Sequence, residues 1–173
     1  MAEAWLNGPV RGVPDLLQPV AHALLNAAQQ VRPAIEGLTS SQLTARPGEI
    51  ASIAYHVRHA MGSLDRLFTY ARGEALSDAQ RNALLEEKNA DDAGLTAASL
   101  IDAFDSAVDR ALAQLRSTDE KTLLEHRVVG RAQLPSTVLG LLFHGGEHTV
   151  RHAGQIVTTA KLVRADGPGA ASG

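Results

Sequence analysis

Apolar side chains recur at three- and four-residue steps in four long stretches of the chain, the spacing of helices that each bury one face. Leu17, Val20, Ala21, Leu24, Leu25, Ala28 and Val31 form the first stripe. Asp15 and Pro19 open that helix and Gly37 ends it, with Pro33 expected to kink or fray its last turn. The second stripe, Ile53, Val57, Ala60, Leu64, Leu67, Phe68 and Ala71, predicts a helix from about Ile50 to Arg72, stopped by Gly73. Thr96 reads as the N-cap of a third, carrying Leu100, Ile101, Phe104, Val108, Leu112 and Leu115. Ser136 reads as the cap of a fourth that runs to about Val163.

The connections are too long for a minimal up-down design. Through Pro14 the chain carries Gly8, Pro9, Gly12 and Pro14 and is expected to be a lead-in loop. A polar link spans Thr39 to Glu49. Ser77-Asp-Ala-Gln80 resembles a capping box for a short amphipathic helix ending near Lys88, and Asn89 to Gly94 reads as a loop. Ser117 to Pro135 reads as irregular, with a short extended piece over Arg127 to Arg131, and Asp166 to Gly173 as a mobile tail. These features predict an all-α fold: one domain over 1–173, a four-helix bundle with a short extra helix and irregular connections.

Composition narrows the chemistry. Aromatic residues are only 3% of a chain that is 45% hydrophobic, so the core rests on Ala, Leu, Val and Ile. With 16 basic and 19 acidic side chains and a net charge of −3, no basic footprint for nucleic acid is expected. No basic-then-apolar leader and no run of about 18 apolar residues occurs, which leads to the expectation of a cytoplasmic protein without a membrane partner. There are seven histidines and no cysteine, so any metal would need His and carboxylate ligands.

Histidines 144, 148 and 152 fall in the fourth helix and 56 and 59 in the second. At about 1.5 Å rise per residue, 144 and 152 are about 12 Å apart along the axis, whereas two nitrogens on one zinc must lie within about 4 Å. All three cannot bind one ion. At about 100° per residue, Val138, Leu141, Leu142, Ile156 and Val163 define a stripe with His152 near its centre and His148 close by. His144 turns away, towards Gly140, Glu147 and Arg151. The inward pair is His148 and His152, and a third ligand must come from around His56 and His59. His144-Gly-Gly-Glu-His148 also spells H-x-x-E-H, an inverted zinc-hydrolase pattern with Glu147 activating water. It places its pair partly off the stripe, sets two glycines where rigidity is needed, and lacks a further carboxylate ligand except in the tail.

Ser52-Ile-Ala-Tyr-His-Val-Arg-His59 and Glu147-His-Thr-Val-Arg-His-Ala-Gly-Gln-Ile156 resemble the DinB/YfiT-like superfamily, over a region running from the first helix through Leu162. The resemblance implies a four-helix bundle, often a homodimer, in which one histidine of the second helix and two of the fourth hold a divalent ion such as zinc or nickel. Members with known roles transfer small thiols such as bacillithiol or mycothiol, including a mycothiol-dependent maleylpyruvate isomerase. Position by position, the family pair falls on His148 and His152. Family spacing assigns the third ligand to His59, at the flank of its stripe, while the stripe itself puts His56 nearer the core. His56 therefore stays as an alternative ligand or a partner to the ligands, as do His144, Glu147 and Gln155, the last at the family's glutamine position. His22 and His126 match nothing.

A divalent cation on three neutral imidazoles lowers the pKa of water or of an arriving thiol. Without cysteine, the sulfur would arrive with a low-molecular-weight thiol cosubstrate. The expected function is metal-dependent transfer of a small thiol, or hydrolysis of a small substrate, and the alternative is a non-catalytic, stress-related binding or dimerisation module.

Overall fold

The structure is a computed structural model and describes residues 3–87 and 94–165. Lys88, most of the loop expected from Asn89, and the tail expected from Asp166 lie outside the described residues.

Four long helices form an all-α bundle: α1 (Gln18–Ile35), α3 (Ile53–Ala71), α5 (Ala97–Ser117) and α6 (Val138–Ala165). Each begins at a local start signal, a side-chain cap or a first-turn proline. Pro19 sits in the first turn of α1. The Ser52 hydroxyl accepts from Tyr55 N–H, so α3 starts at Ile53 rather than Ile50. Thr96 and Ser99 form a reciprocal capping box before α5. The last turn of α1 continues past Pro33 with Glu36 N–H bonded to the Arg32 carbonyl at 3.0 Å, so it does not fray.

Each of α1 and α3 packs against both α5 and α6. Consecutive α1 and α3 thus occupy opposite corners, which requires the long connection between them. That connection is more ordered than a polar link: Thr39 and Gln42 make a capping box for α2 (Ser40–Thr44), which buries Leu43. The core joins Leu17, Leu24 and Val31 of α1 to Val57 and Leu64 of α3, Phe104 and Leu115 of α5, and Leu142 and Ile156 of α6.

The irregular stretch before α6 holds an antiparallel hairpin, β1 (His126–Val129) and β2 (Leu134–Thr137), with Arg127 opposite Ser136. Ser136 is drawn into this ladder, and the cap passes to Thr137, whose hydroxyl accepts from Gly140 N–H at 3.0 Å. The Val138 and Leu139 N–H groups, otherwise orphaned at a helix start, bond the Glu125 and Leu123 carbonyls. The segment that leads into the hairpin thereby anchors the first turn of the helix that carries three histidines.

The short helix after Ser77, α4 (Asp78–Glu86), has its expected capping box but no buried residue. Leu84 and Leu85 are exposed, so no apolar face holds it down. Its contacts to α3 are polar: Gln80 donates to Asp65 Oδ2 at 2.7 Å and to Thr69 Oγ1 at 2.8 Å.

Candidate metal centre

The α3 and α6 backbones approach closely because α6 lacks side chains where they meet. A Cβ on Gly145 would lie 2.8 Å from Phe68 Cε2 on α3, and one on Gly146 would lie 3.2 Å from Val20 Cγ1 on α1. The paired glycines of the H-G-G-E-H stretch are thus packing positions on two flanks of one helix, held in place by their neighbours. One turn further on, imidazoles from the two helices meet.

His59 Nε2 lies 3.1 Å from His148 Nε2, which lies 3.2 Å from His152 Nε2. One nitrogen from each of these residues lies within 4.8 Å of the others, and this is the three-residue group among the described residues able to hold a metal ion. Two nitrogens on a tetrahedral zinc, each about 2.0–2.1 Å from it, are about 3.3 Å apart. The His59–His148 and His148–His152 separations match that spacing, and the trio could hold a divalent cation. They do not fit an all-protein hydrogen-bond network, since His148 Nε2 has two nitrogen neighbours while its buried Nδ1 has no partner.

Burial tunes the charge of this cluster. His152, buried against α3, is pulled from the usual imidazole range to about 4, chiefly by desolvation and then by His148, His59 and His56. Desolvation also lowers His148, with His59 and His144 adding to it, and lowers His56, with His59 adding to it. At neutral pH these three rings are uncharged, as metal ligation requires.

His56 faces the same cluster from behind. Its Nδ1 lies 3.1 Å from His152 Nδ1, the nitrogen turned away from His148, so it supports a member of the trio from outside. Tyr55 stacks on His59, with ring centroids 5.6 Å apart and planes 7° apart.

The remaining candidates from the motifs fall outside. His144 is half-exposed and pairs with Glu147 at 3.3 Å; Glu147 also pairs with Arg151, whose hydrogen bond holds its carboxyl below the usual range. His144 and Glu147 therefore build a surface charge cluster with Arg151 on α6, and of the H-x-x-E-H residues His148 alone joins the trio. Gln155 is exposed on α6 and is not one of the residues that meet at the centre. His22 bonds the Gly8 carbonyl at 2.9 Å, and His126 is exposed at the hairpin.

One participant escapes a reading by motif. Glu87, the residue after α4, is buried and accepts from two sides: His59 Nδ1 lies 2.8 Å from its Oε2, and the buried Arg66 donates to its Oε1 at 2.6 Å. Burial pushes the Glu87 carboxyl up, but the hydrogen bonds and charges of His59 and Arg66 outweigh it, leaving a net lowering. A signal was present in α3, where His59, Gly62 and Arg66 share a face and Arg66 sets a charge beside the apolar stripe.

A solved structure described as that of the conserved protein of a locus from Enterococcus faecalis matches this fold with a TM-score of 0.65 at 18% identity, covering 86% of this chain and 97% of that one. No curated protein matches the chain. The sequence profile of the DinB superfamily matches residues 23–156, a span that includes all four clustered histidines. The chain belongs to the DinB superfamily.

Proposed function

We propose that the protein is a divalent-metal enzyme, with His59, His148 and His152 as ligands, that transfers a small thiol to an electrophile or hydrolyses a small substrate. The observation that carries this reading is the convergence of three imidazole nitrogens within 4.8 Å of one another, two of them on rings held neutral by burial, with two of the separations at the spacing of ligands on a four-coordinate ion. Three protein ligands leave such an ion an open position, the arrangement of catalytic rather than closed structural sites. When bound, a divalent cation supplies Lewis-acid chemistry, lowering the pKa of water or of a thiol. The chain's own part is to supply neutral ligands, to hold two of them through His56 and Glu87, and to keep the α3–α6 gap narrow.

Zinc or nickel suits this nitrogen donor set. The chain has no thiol of its own, so sulfur chemistry would draw on a low-molecular-weight thiol cosubstrate. The wider reading is of a cytoplasmic homodimer acting on a small molecule, with no nucleic-acid or membrane partner; no helix among the described residues is long and apolar enough to cross a membrane.

Metal analysis of protein purified without chelators, with and without added zinc or nickel, tests the site. About one ion per chain, lost in His148→Ala, is expected. Stoichiometric metal in that variant would sink the ligand assignment, and a wild type that takes up neither ion would sink the metal reading. Turnover of an electrophile that depends on both metal and thiol separates the enzyme from a non-catalytic bundle.

A further inference from the structure

We propose that Glu87 is the positioning residue of this centre: it fixes the tautomer of His59 so that Nε2 offers its lone pair to the cation, and Arg66 dictates which way Glu87 can act. The inference rests on the three-histidine reading given above.

The chemistry follows from the donors and acceptors present. An ionised carboxylate only accepts, so the contact at 2.8 Å obliges His59 to carry its proton on Nδ1. A neutral imidazole protonated at Nδ1 has its lone pair on Nε2, the atom that faces His148. Arg66, which only donates, holds the other carboxylate oxygen at 2.6 Å. Both oxygens are thus assigned, and the pair is buried from end to end, with Arg66 9% and Glu87 6% exposed.

The fold pays for this arrangement at two points. Gly62 stands one turn past His59, and a Cβ there would lie 2.4 Å from Glu87 Oε1 and 2.8 Å from an Arg66 nitrogen. The missing side chain is the space the ion pair occupies. In addition, α4 buries no residue of its own, and Glu87 just beyond its end is buried. A helix without an apolar anchor that ends in an inward carboxylate is best explained as the carrier of that carboxylate.

The near-isosteric variant Glu87→Gln discriminates. Arg66 can only donate, so the Gln carbonyl must turn to it, leaving the amide NH2 towards His59. His59 Nδ1 then becomes the acceptor, the proton moves to Nε2, and the ligand atom is blocked. Zinc affinity, measured by competition with a chelating dye, should fall roughly 10- to 100-fold, the range for losing a partner that orients a ligand. In the metal-free protein, 15N shifts of the His59 ring should switch from the Nδ1–H to the Nε2–H form. In the double variant Arg66→Met/Glu87→Gln the Gln is free to turn its carbonyl to His59, and affinity should recover relative to Glu87→Gln alone. A purely structural role for Glu87 would not produce that recovery.

Gly62→Ala, which displaces the carboxylate without altering its charge, should lower zinc affinity in the same direction. Wild-type zinc affinity and His59 tautomer in Glu87→Gln would overturn the proposal, as would a loss that Arg66→Met leaves unchanged. Should the wild type bind no zinc while its His59 tautomer still switches in Glu87→Gln, the three-histidine reading fails and control of His59 by Glu87 stands.

Discussion

His56 and His152 meet through their Nδ1 atoms at 3.1 Å, on the edge of the His152 ring opposite the nitrogen that faces His148. One of the two must donate. If His152 Nε2 gives its lone pair to a cation, its Nδ1–H is the donor and His56 the acceptor. His56→Ala should then weaken zinc binding roughly 10- to 100-fold, as loss of an orienting partner does. His59→Ala, which removes a ligand, should cost more than that. Parallel titrations of the two variants decide the matter, and the reverse ranking would exchange the roles of the two α3 histidines.

His144 and Glu147, the two residues that H-x-x-E-H would add to His148, should prove dispensable for metal uptake. His144→Ala and Glu147→Ala alter a pair on the solvent side of α6 and should leave zinc stoichiometry and affinity within about threefold of wild type, the scale of a surface electrostatic change of under about 1 kcal/mol. A tenfold or greater loss in either variant would restore the inverted zinc-hydrolase motif as a contender.

Acid should destabilise the metal-free protein in a defined window. Burial takes His152 to about 4 and also lowers His148 and His56, whereas in an unfolded chain each titrates near 6.5. Between those values the unfolded state binds protons that the folded state does not. Stability is therefore complete above about pH 6.5 and is lost as pH falls towards about 4. His152 alone corresponds to about 3 kcal/mol. Urea denaturation of chelator-treated protein at several pH values in this window measures the slope, which His152→Asn should flatten. A wild-type profile without slope would contradict the buried neutral cluster.

Two glycines of α6 should respond oppositely to alanine. At Gly145 the added methyl meets Phe68 at 2.8 Å and Leu64 at 3.3 Å, an overpacking expected to cost about 1–3 kcal/mol. At the exposed Gly154 it meets nothing within 4 Å, and the gain in helix propensity should stabilise by about 0.5–1 kcal/mol. Thermal melts of the two variants suffice, and a stabilised Gly145→Ala would refute the close-approach role.

The bundle was legible because each long helix writes its buried face into a period of 3.6, and because Ser77, Thr96 and Pro19 mark starts by local chemistry. His148 and His152 were legible for the same reason: they share a stripe one turn apart. What the chain hides is whatever depends on distant partners. Thr39 and Gln42 spell a capping box that a polar composition masked. The hairpin contains Pro135 and alternates weakly, so its pairing depends on the turn and on the anchorage of α6. Periodicity places His56 inward and says nothing of which helix its ring meets. Glu87 lies 28 residues from His59, and only the packed structure shows that Gly62 leaves room for it.

On the proposed metal reading, the narrow approach at Gly145 bears on which ions the three histidines would accept. Side chains can adjust to bonds of different length, but here the two helices that carry the trio are packed through a glycine against Phe68 and Leu64, which limits how far they can part. Ligand bonds near 2.0–2.1 Å match that gauge, while the 2.3–2.6 Å bonds of a calcium-sized ion would require α3 and α6 to part and give up the Phe68 packing. On the proposed metal reading, widening or narrowing the helix pair with every histidine left in place should therefore shift the preferred ion.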